Sequence, residues 1–327
     1  MKKIAYALAF AALFGLGCNK SDETGASANE ESLSAPNGKR ACSSAEILAQ
    51  QLATDPARQQ RMDEIEAFTE RFASNPNAAR LLPDGTIEIP VVFNVLYRTA
   101  AQNVSLAQLQ SQIDVLNQDY AGTNTEIGST PALFQPVLAG DTKIRFVLDQ
   151  VIRKSTTKTS WTTNDAMKKS TQGGINPTSP TTKLNFWVCN LSGGILGYAQ
   201  FPGGSSATDG VVCDDNATGR VGTAAAPFGL GRTATHEIGH WLNLRHIWGD
   251  ATCGNDQVGD TPQHNTSNGG CPTYPHLSTC AGNPVEMTMN YMDYTYDACM
   301  YMFSAGQKTR MLATFAVGGP RNSFAQP

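Results

Sequence analysis

Apolar residues recur along the chain with two spacings, which together predict a sheet packed against helices. The segments 86–97, 143–152 and 183–189 are rich in Ile, Val and Phe and predict strands. The run 86–97 is apolar almost throughout, which is typical of a central strand buried on both faces. Residues 194–201 are expected to form an edge strand, whose free backbone groups can bind a peptide as an additional strand.

Apolar residues at helical spacing predict helices over four segments, 45–72, 105–120, 231–243 and 303–313. Asp55-Pro56 interrupts the first of these, so that segment should form two helices. Ser105 is a suitable N-cap for the second, because its hydroxyl can accept a hydrogen bond from the first turn. Strands mixed with helices indicate an α/β fold with a mixed, twisted sheet.

The segment 236–246, His-Glu-Ile-Gly-His-Trp-Leu-Asn-Leu-Arg-His, carries the strongest chemical signal. On a helix, His236 and His240 share one face and can bind one metal ion. A turn after the helix would bring His246 to the same ion. Three protein ligands leave the fourth tetrahedral position to water, as in catalytic zinc sites. Glu237 is then the candidate base that takes a proton from this water.

Other interpretations of this segment remain open from the sequence. A gluzincin would take its third ligand from a downstream Glu instead of His246. A catalytically inactive surface-binding or adhesion protein could keep the motif, and a disulfide-stabilised structural protein could carry unrelated histidines. In the longer motif His-Glu-x-x-His-x-x-Gly-x-x-His, a Gly usually stands at the position that Asn243 has here. Asn tolerates positive φ better than other non-Gly residues, so we expect the turn to form.

A second motif, Asn290-Tyr291-Met292-Asp293-Tyr294, has the polar character of a tight turn. With the first motif, Leu184-Asn185-Phe186-Trp187-Val188 and Asp260-Thr261-Pro262, it resembles the pappalysin-type metzincins over roughly residues 87–320. The resemblance implies a zinc endopeptidase of the metzincin fold. That fold has an active-site helix and a loop-rich, disulfide-stabilised C-terminal subdomain. The resemblance also implies Met292 as the methionine turn beneath the zinc, with plain core packing as the alternative.

Tyr294 and Asp297, which both follow Met292, are candidates for contact with the substrate. Tyr294 can bring a phenol near the metal or the developing oxyanion. Asp297 can line the pocket for the residue after the scissile bond, where a carboxylate would favour Arg or Lys. The resemblance implies the same preference, whereas a plain surface aspartate is the alternative.

The chain has eight cysteines, of which six follow residue 180. An even number in an exported chain indicates disulfides, but six cysteines allow fifteen pairings. The resemblance implies the pairs Cys253–Cys280 and Cys271–Cys299, which leaves Cys189–Cys213.

The N-terminal region predicts export and latency. Residues 1–18, basic and then apolar, predict a secretory leader that is too short to span a membrane. Cys18 follows a small residue and is a candidate lipid anchor, unless the leader is of the ordinary type. Residues 19–80 are expected to form a linker and pro-segment, cut near Arg80, and residues 81–327 the catalytic domain. In the pro-segment, Cys42 can block the open zinc position with its thiolate, unless it is an incidental cysteine.

Oxygen-rich side chains follow the zinc motif in a glycine-rich loop. Asp256, Asp260 and Thr261 offer the hard ligands that calcium prefers, and the resemblance implies calcium near the site. A hydrated loop without an ion is the alternative.

Charge excludes one class of partner. The formal net charge is −4 and only 16% of residues are charged, which argues against binding nucleic acid by bulk electrostatics. We therefore expect protein or peptide substrates, and an extracellular or cell-surface location.

Overall fold

The computed structural model describes residues 40–74 and 85–325. The predicted leader, Cys18, the linker and the activation cut near Arg80 lie outside these residues. Within the described residues, no helix is long and apolar enough to cross a membrane.

Five strands form one sheet in the order β2-β1-β3-β5-β4. Their bounds are Ile87–Tyr97 (β1), Ile144–Ser155 (β2), Leu184–Val188 (β3), Gly197–Ala199 (β4) and Val211–Cys213 (β5). β4 pairs antiparallel with β5, whereas the other neighbouring strands are parallel. The mixed sheet, the central position of β1 and the edge position of β4 confirm the predictions. β5 was not predicted, because three residues give too short a pattern.

Among the described residues, five α-helices accompany the sheet: Ser44–Thr54 (α1), Pro56–Ser74 (α2), Leu106–Ala121 (α3), Arg232–Trp241 (α4) and Ala305–Phe315 (α5). The break between α1 and α2 falls at Asp55, as predicted, because the proline has no N–H to continue a helix. The Ser105 hydroxyl accepts a hydrogen bond from the Gln108 N–H at 3.1 Å and caps α3.

Apolar residues cover both faces of the sheet. The larger core joins one face to α3, α4 and α5, through residues such as Phe93, Leu116 and Ile238. The smaller core lies on the other face and contains Trp187 and Tyr198. The buried zinc-motif helix is therefore fixed against the sheet by packing on the larger core.

Two of the three expected disulfides are present. Cys253 bonds Cys280 and Cys271 bonds Cys299. The expected Cys189–Cys213 disulfide is wrong, because both cysteines are free and buried. Cys213 pairs with Val188 across adjacent strands, so Cys189, one residue on, points to the other face of the sheet. The two thiols therefore lie on opposite faces of the sheet and cannot bond.

Candidate active site

The turn after α4 has the predicted left-handed residue. Asn243 has φ 70°, and the Leu244 N–H donates to the Gly239 carbonyl at 2.9 Å. The chain thus reverses directly after the helix. This reversal brings His246 against the two histidines of α4.

The three histidines of the motif converge on one point. His240 Nε2 lies 3.2 Å from His236 Nε2 and 3.1 Å from His246 Nε2. All three side chains are buried, with at most 1% exposed. Three nitrogen lone pairs this close would repel one another, so the arrangement suits a cation between them.

The other ring nitrogen of each histidine has an acceptor. His236 Nδ1 lies 2.7 Å from the Tyr291 carbonyl and His240 Nδ1 lies 2.8 Å from the Leu244 carbonyl. His246 Nδ1 lies 2.5 Å from Asp250 Oδ1. Each Nδ1 therefore donates, and each Nε2 keeps its lone pair for a metal ion.

Electrostatics favours neutral imidazoles at this point. Burial lowers the pKa of His240 to about 3, and the neighbouring charge of His246 adds to the effect. Burial likewise lowers the pKa of His236, with contributions from the other two histidines. Neutral imidazole is the form that binds zinc, so the residues present fit the ion.

Glu237 lies beside the histidines with one oxygen free of protein partners. Its Oε2 accepts hydrogen bonds from the Ser44 hydroxyl at 2.8 Å and the Cys42 thiol at 3.4 Å. Its Oε1 is buried and has no hydrogen-bond partner. Burial raises the pKa of Glu237 to about 7. A carboxyl group with these properties can accept and release a proton near neutral pH.

The Met292 side chain packs against α4 at Gly239. A Cβ added to Gly239 would come 2.5 Å from Met292 Sδ, so the glycine permits this close approach. The Asn290 side-chain oxygen accepts from the Met292 N–H at 2.9 Å and fixes the turn. Met292 is thus held directly against α4 and, like Met287 and Met289, belongs to the larger core.

Tyr294 and Trp248, from the loop region, pack against the ring of His246. The Tyr294 ring centroid lies 4.9 Å from that of His246. Trp248 stacks on His246 at 4.3 Å with an interplanar angle of 8°. The Tyr294 hydroxyl donates to the Cys42 carbonyl at 3.1 Å, so the phenol contacts the backbone of the predicted pro-segment.

Cys42 reaches the histidine cluster from the predicted pro-segment. Its Sγ and one ring nitrogen from each of the three histidines all lie within 4.8 Å of one another. Burial raises the pKa of the Cys42 thiol, and the Glu237 charge adds to this. A thiolate at this position therefore needs a cation within bonding distance.

Asp297 is fully buried and pairs with Arg40, 2.5 Å away. Its other carboxylate oxygen accepts from the Leu230 and Arg232 N–H groups and caps the start of α4. Asp297 is thus no surface aspartate, and it lies at one end of the zinc-motif helix.

Two of the three predicted calcium residues contact each other, whereas the third is engaged at the start of α5. Asp260 accepts hydrogen bonds from the Ser304 hydroxyl and the Gly306 N–H at the start of α5. Asp256 and Thr261 contact each other, with the Thr261 hydroxyl 2.9 Å from Asp256 Oδ2. Within the described residues, the histidines with Cys42 form the one cluster of three or more His, Cys, Asp or Glu suited to a metal.

Sequence reasoning missed three contributors to the site. Asp250 orients His246 through a hydrogen bond that no local sequence pattern predicts. Ser44 bonds Glu237 and also accepts from the Ala199 N–H of β4. Arg40 carried no signal of its own, because only the fold brings it to Asp297.

Comparison with known proteins agrees with this geometry. The Peptidase_M43 family model, described as pregnancy-associated plasma protein-A, matches residues 196–316. Extracellular metalloprotease 1 of Coccidioides posadasii is 32% identical over 237 residues, which cover 69% of this chain and 75% of that protein. An extracellular metalloprotease of Arthroderma otae is 31% identical, covering 75% of this chain and 83% of that protein.

Two solved structures are also similar. A mutant of promirolysin from Tannerella forsythia is 41% identical, with a TM-score of 0.79, covering 87% of this chain and 97% of that one. Mature mirolysin in complex with a cleaved peptide is 44% identical, with a TM-score of 0.71, covering 74% and 96% respectively. With its converging histidines and adjacent glutamate, the chain belongs to the pappalysin-type metzincins and is a zinc metalloendopeptidase.

Proposed function

We propose that His236, His240 and His246 hold the zinc of this endopeptidase and that Glu237 is its general base. The convergence of three Nε2 atoms beside the unpaired Glu237 Oε1 carries this assignment. Bound zinc would supply a Lewis acid and lower the pKa of a water molecule. Glu237 takes the proton from the attacking water and delivers it to the leaving amine. Tyr294 donates a hydrogen bond to the developing oxyanion.

The test is Glu237→Gln, which keeps the size and hydrogen bonding of the side chain. We expect zinc content and folding to stay unchanged while hydrolysis of casein falls by about 100-fold or more. Glu88→Gln, on an exposed position of β1, is the matched control and should keep full activity. Full activity of Glu237→Gln would refute the assigned base. Loss of zinc from His246→Ala, measured by elemental analysis, separates this ligand set from one with a downstream Glu.

We propose that Asp297 selects Arg or Lys after the scissile bond. A buried carboxylate that pairs with a guanidinium in this structure supports a basic partner in the cleft. The cleaved peptide bound to mature mirolysin supports peptide binding in this fold. A digest of a peptide library by the activated enzyme measures the preference. Cleavage without enrichment of Arg or Lys at that position would remove the proposal.

We propose that residues 19–80 form a pro-segment that maintains latency through Cys42, and that residues 81–327 form the mature enzyme. The position of the Cys42 thiol among the three histidines supports this role. Cys42→Ala in the full chain should activate at least about tenfold faster than wild type. Cys189→Ala, at a free cysteine buried in the smaller core, is the control.

We propose further that residues 1–18 direct export and that the enzyme acts outside the cell, with Cys18 as a candidate lipid anchor. The extracellular metalloproteases among its relatives support export. Mass spectrometry of the N-terminus of the expressed protein distinguishes lipidated Cys18 from an ordinary leader cut.

We propose calcium as a second ion, bound in the loop that contains Asp256 and Thr261. These residues line a cavity of about 140 Å³ that Asn255 also borders. Asp260 is a less suitable ligand, because its carboxylate is engaged at α5. Calcium titration of wild type and Asp256→Asn by calorimetry tests the site. Equal binding by both proteins would exclude Asp256 as a ligand.

A further inference from the structure

The middle of α2 carries a carboxylate that two other elements bind. Glu66 Oε1 accepts hydrogen bonds from Arg310 Nη2 of α5 at 2.8 Å and from the Asn243 side-chain amide at 3.1 Å. Glu66 Oε2 lies 3.0 Å from the same Arg310 nitrogen. Glu66 is not part of the cluster that the three histidines form with Cys42. The predicted pro-segment is therefore tied to the enzyme at a second place.

Arg310 connects this carboxylate to the turn after α4. Its Nη2 also donates to the Asn243 carbonyl at 3.3 Å, and its Nη1 donates to the Gln257 carbonyl at 3.2 Å. Asn243 is thus held at both its side chain and its backbone. A glycine, the usual residue at this position of the motif, has no amide to offer to Glu66. Asn243 therefore forms the turn by its positive φ and also donates to a carboxylate.

The charge and burial of Arg310 favour a carboxylate as its ligand. Arg310 is only 5% exposed, and its Nε is buried without a hydrogen-bond partner. Among the described residues, Glu66 is its one ion-pair partner. Departure of α2 would break this pair, and the guanidinium and the Asn243 amide would then remain as a binding site for a carboxylate.

Contacts on either side of Glu66 give this site the length of a helix. Near the start of α2, Arg58 donates to the Phe201 carbonyl at 2.9 Å. Near its end, Phe72 packs in a small apolar cluster with Ala313 of α5. The buried residues of α2 recur every three or four positions and are Arg58, Met62, Ile65, Thr69 and Phe72. The surface under α2 therefore fits one face of an amphipathic helix.

We propose that this surface, formed by α5, the turn after α4 and the loop at Phe201, is a helix-docking site that recognises a carboxylate. Its occupant is α2, which stays bound through Glu66 after the chain is cut near Arg80. Activation then has two steps, the cut and the departure of α2. This inference rests on the proposed pro-segment, residues 19–80.

The first experiment follows the cut pro-segment of the full chain. The starting chain carries Glu237→Gln, which prevents self-cleavage, and Cys42→Ala, which removes the tie at the histidines. This chain, its Glu66→Gln variant and the control Glu70→Gln, at an exposed position one turn along α2, are cut by a trace of active enzyme. Gel filtration then measures how much of the fragment that contains α2 stays with the mature enzyme.

We expect this fragment to coelute with the mature enzyme in the starting chain and in Glu70→Gln. Glu66→Gln should make it dissociate at least about tenfold faster, because the variant loses a charge-assisted pair. Immediate separation of the fragment of the starting chain would overturn the proposal. Equal retention of the Glu66→Gln fragment would overturn it as well.

The second experiment does not depend on folding of a variant pro-segment. Labelled synthetic peptides of residues 55–74, with Glu66 or with Glu66→Gln, are titrated with mature enzyme that carries Glu237→Gln, and fluorescence anisotropy measures the dissociation constants. The same titration uses enzyme with the further change Asn243→Gly, which keeps the turn because glycine adopts positive φ readily.

The replacement in the peptide should raise the dissociation constant at least about tenfold for the enzyme with Asn243. For the enzyme with Asn243→Gly, the peptide with Glu66 should bind more weakly, and the replacement should have a smaller effect, because the carboxylate has lost one of its donors. An equal effect of the replacement on both enzymes would overturn recognition of the carboxylate by the turn.

N-terminal sequencing of the mature enzyme separates this inference from the proposed pro-segment. A mature enzyme that begins near residue 81 and binds neither peptide would overturn the helix-docking site and leave the proposed pro-segment standing. A mature chain that still contains α2 would refute the proposed boundary, and with it the retention of a cut fragment.

Discussion

Two regions of the described chain build the site by different means. The sheet with α3 and α4 places Glu237 and two histidines by packing regular elements, and every residue of α4 is buried. In residues 247–303, the one α-helical or 3₁₀ element is the single turn Asp297–Cys299, yet they hold Met292 and Tyr294 at the same site. Two disulfides link this second region internally.

Buried polar bonds replace regular packing in the second region. Asp293 Oδ1 accepts from the Tyr294 N–H and from the Asn268 N–H, both at 2.8 Å. The Asn268 side chain also donates to Glu286, and His264 lies 3.4 Å from Asp293. Such bonds fix each partner because an unpaired buried polar group is costly. Buried apolar area therefore positions one half of the site, and specific hydrogen bonds position the other half.

The largest loss of stability is expected from a substitution in the buried sheet. Phe186 in β3 is 1% exposed and packs edge-to-face on Phe93 at 4.9 Å. Phe186→Ala should lower the free energy of unfolding by about 3 to 5 kcal/mol, since it leaves a cavity. Urea denaturation in the Glu237→Gln background, which prevents self-cleavage, measures this loss. Val147→Ala, at a half-exposed position of β2, should change little. A loss below about 1 kcal/mol for Phe186→Ala would contradict positioning by packing.

The stability of the second region, residues 247–303, should instead depend on its disulfides and therefore on reductant. Cys271→Ser combined with Cys299→Ser should cost about 3 to 4 kcal/mol of unfolding free energy, because the bond closes a loop of 28 residues. Urea denaturation with and without reductant measures this cost. The control, Cys189→Ala with Cys213→Ala, should keep the reductant sensitivity of wild type, since these thiols are free. Loss of that sensitivity in the control would show that the sheet cysteines are bonded.

The proposed metal ligands are also oriented by different means in the two regions. Backbone carbonyls orient His236 and His240, whereas a loop side chain, Asp250, orients His246. Asp250→Asn should therefore weaken zinc binding about 10- to 100-fold, measured by chelator competition. Asp149→Asn, at a surface ion pair of β2, is the control. Unchanged zinc affinity of Asp250→Asn would mean that the loop contributes nothing to this ligand.

The smallest effect is a dependence on pH in the loop region. Burial raises the pKa of Asp256 to about 6, above its usual 3.8. The folded state therefore binds the proton more tightly, so stability from this group is present below about pH 4 and is lost as pH rises to about 6. Without calcium, the wild type should lose on the order of 1 kcal/mol of unfolding free energy over this interval, and Asp256→Asn should not show this loss. Denaturation midpoints of both proteins from pH 4 to 7 measure it, and parallel curves would contradict the shift.

The regular half of the fold was predictable from the sequence. The positions of β1, α3 and the break between α1 and α2 follow from apolar period, a cap and a proline. β5 was missed because it is short. The pairing of Cys189 with Cys213 failed because counting cysteines ignores the face on which each side chain lies.

The sequence by itself determined the chemistry of the site. Two histidines four residues apart with a glutamate between them share one helix face, because helical geometry is local. Asn243 made the turn to His246 possible for an equally local reason, its tolerance of positive φ.

The tertiary structure alone decided which distant groups meet this chemistry. The Asp250 link to His246, the packing of Met292 under Gly239 and the pairing of Arg40 with Asp297 join residues on separate elements or across a turn. No local period encodes them, because they depend on how the packed sheet, the helices and the cross-linked loops bring separate segments together.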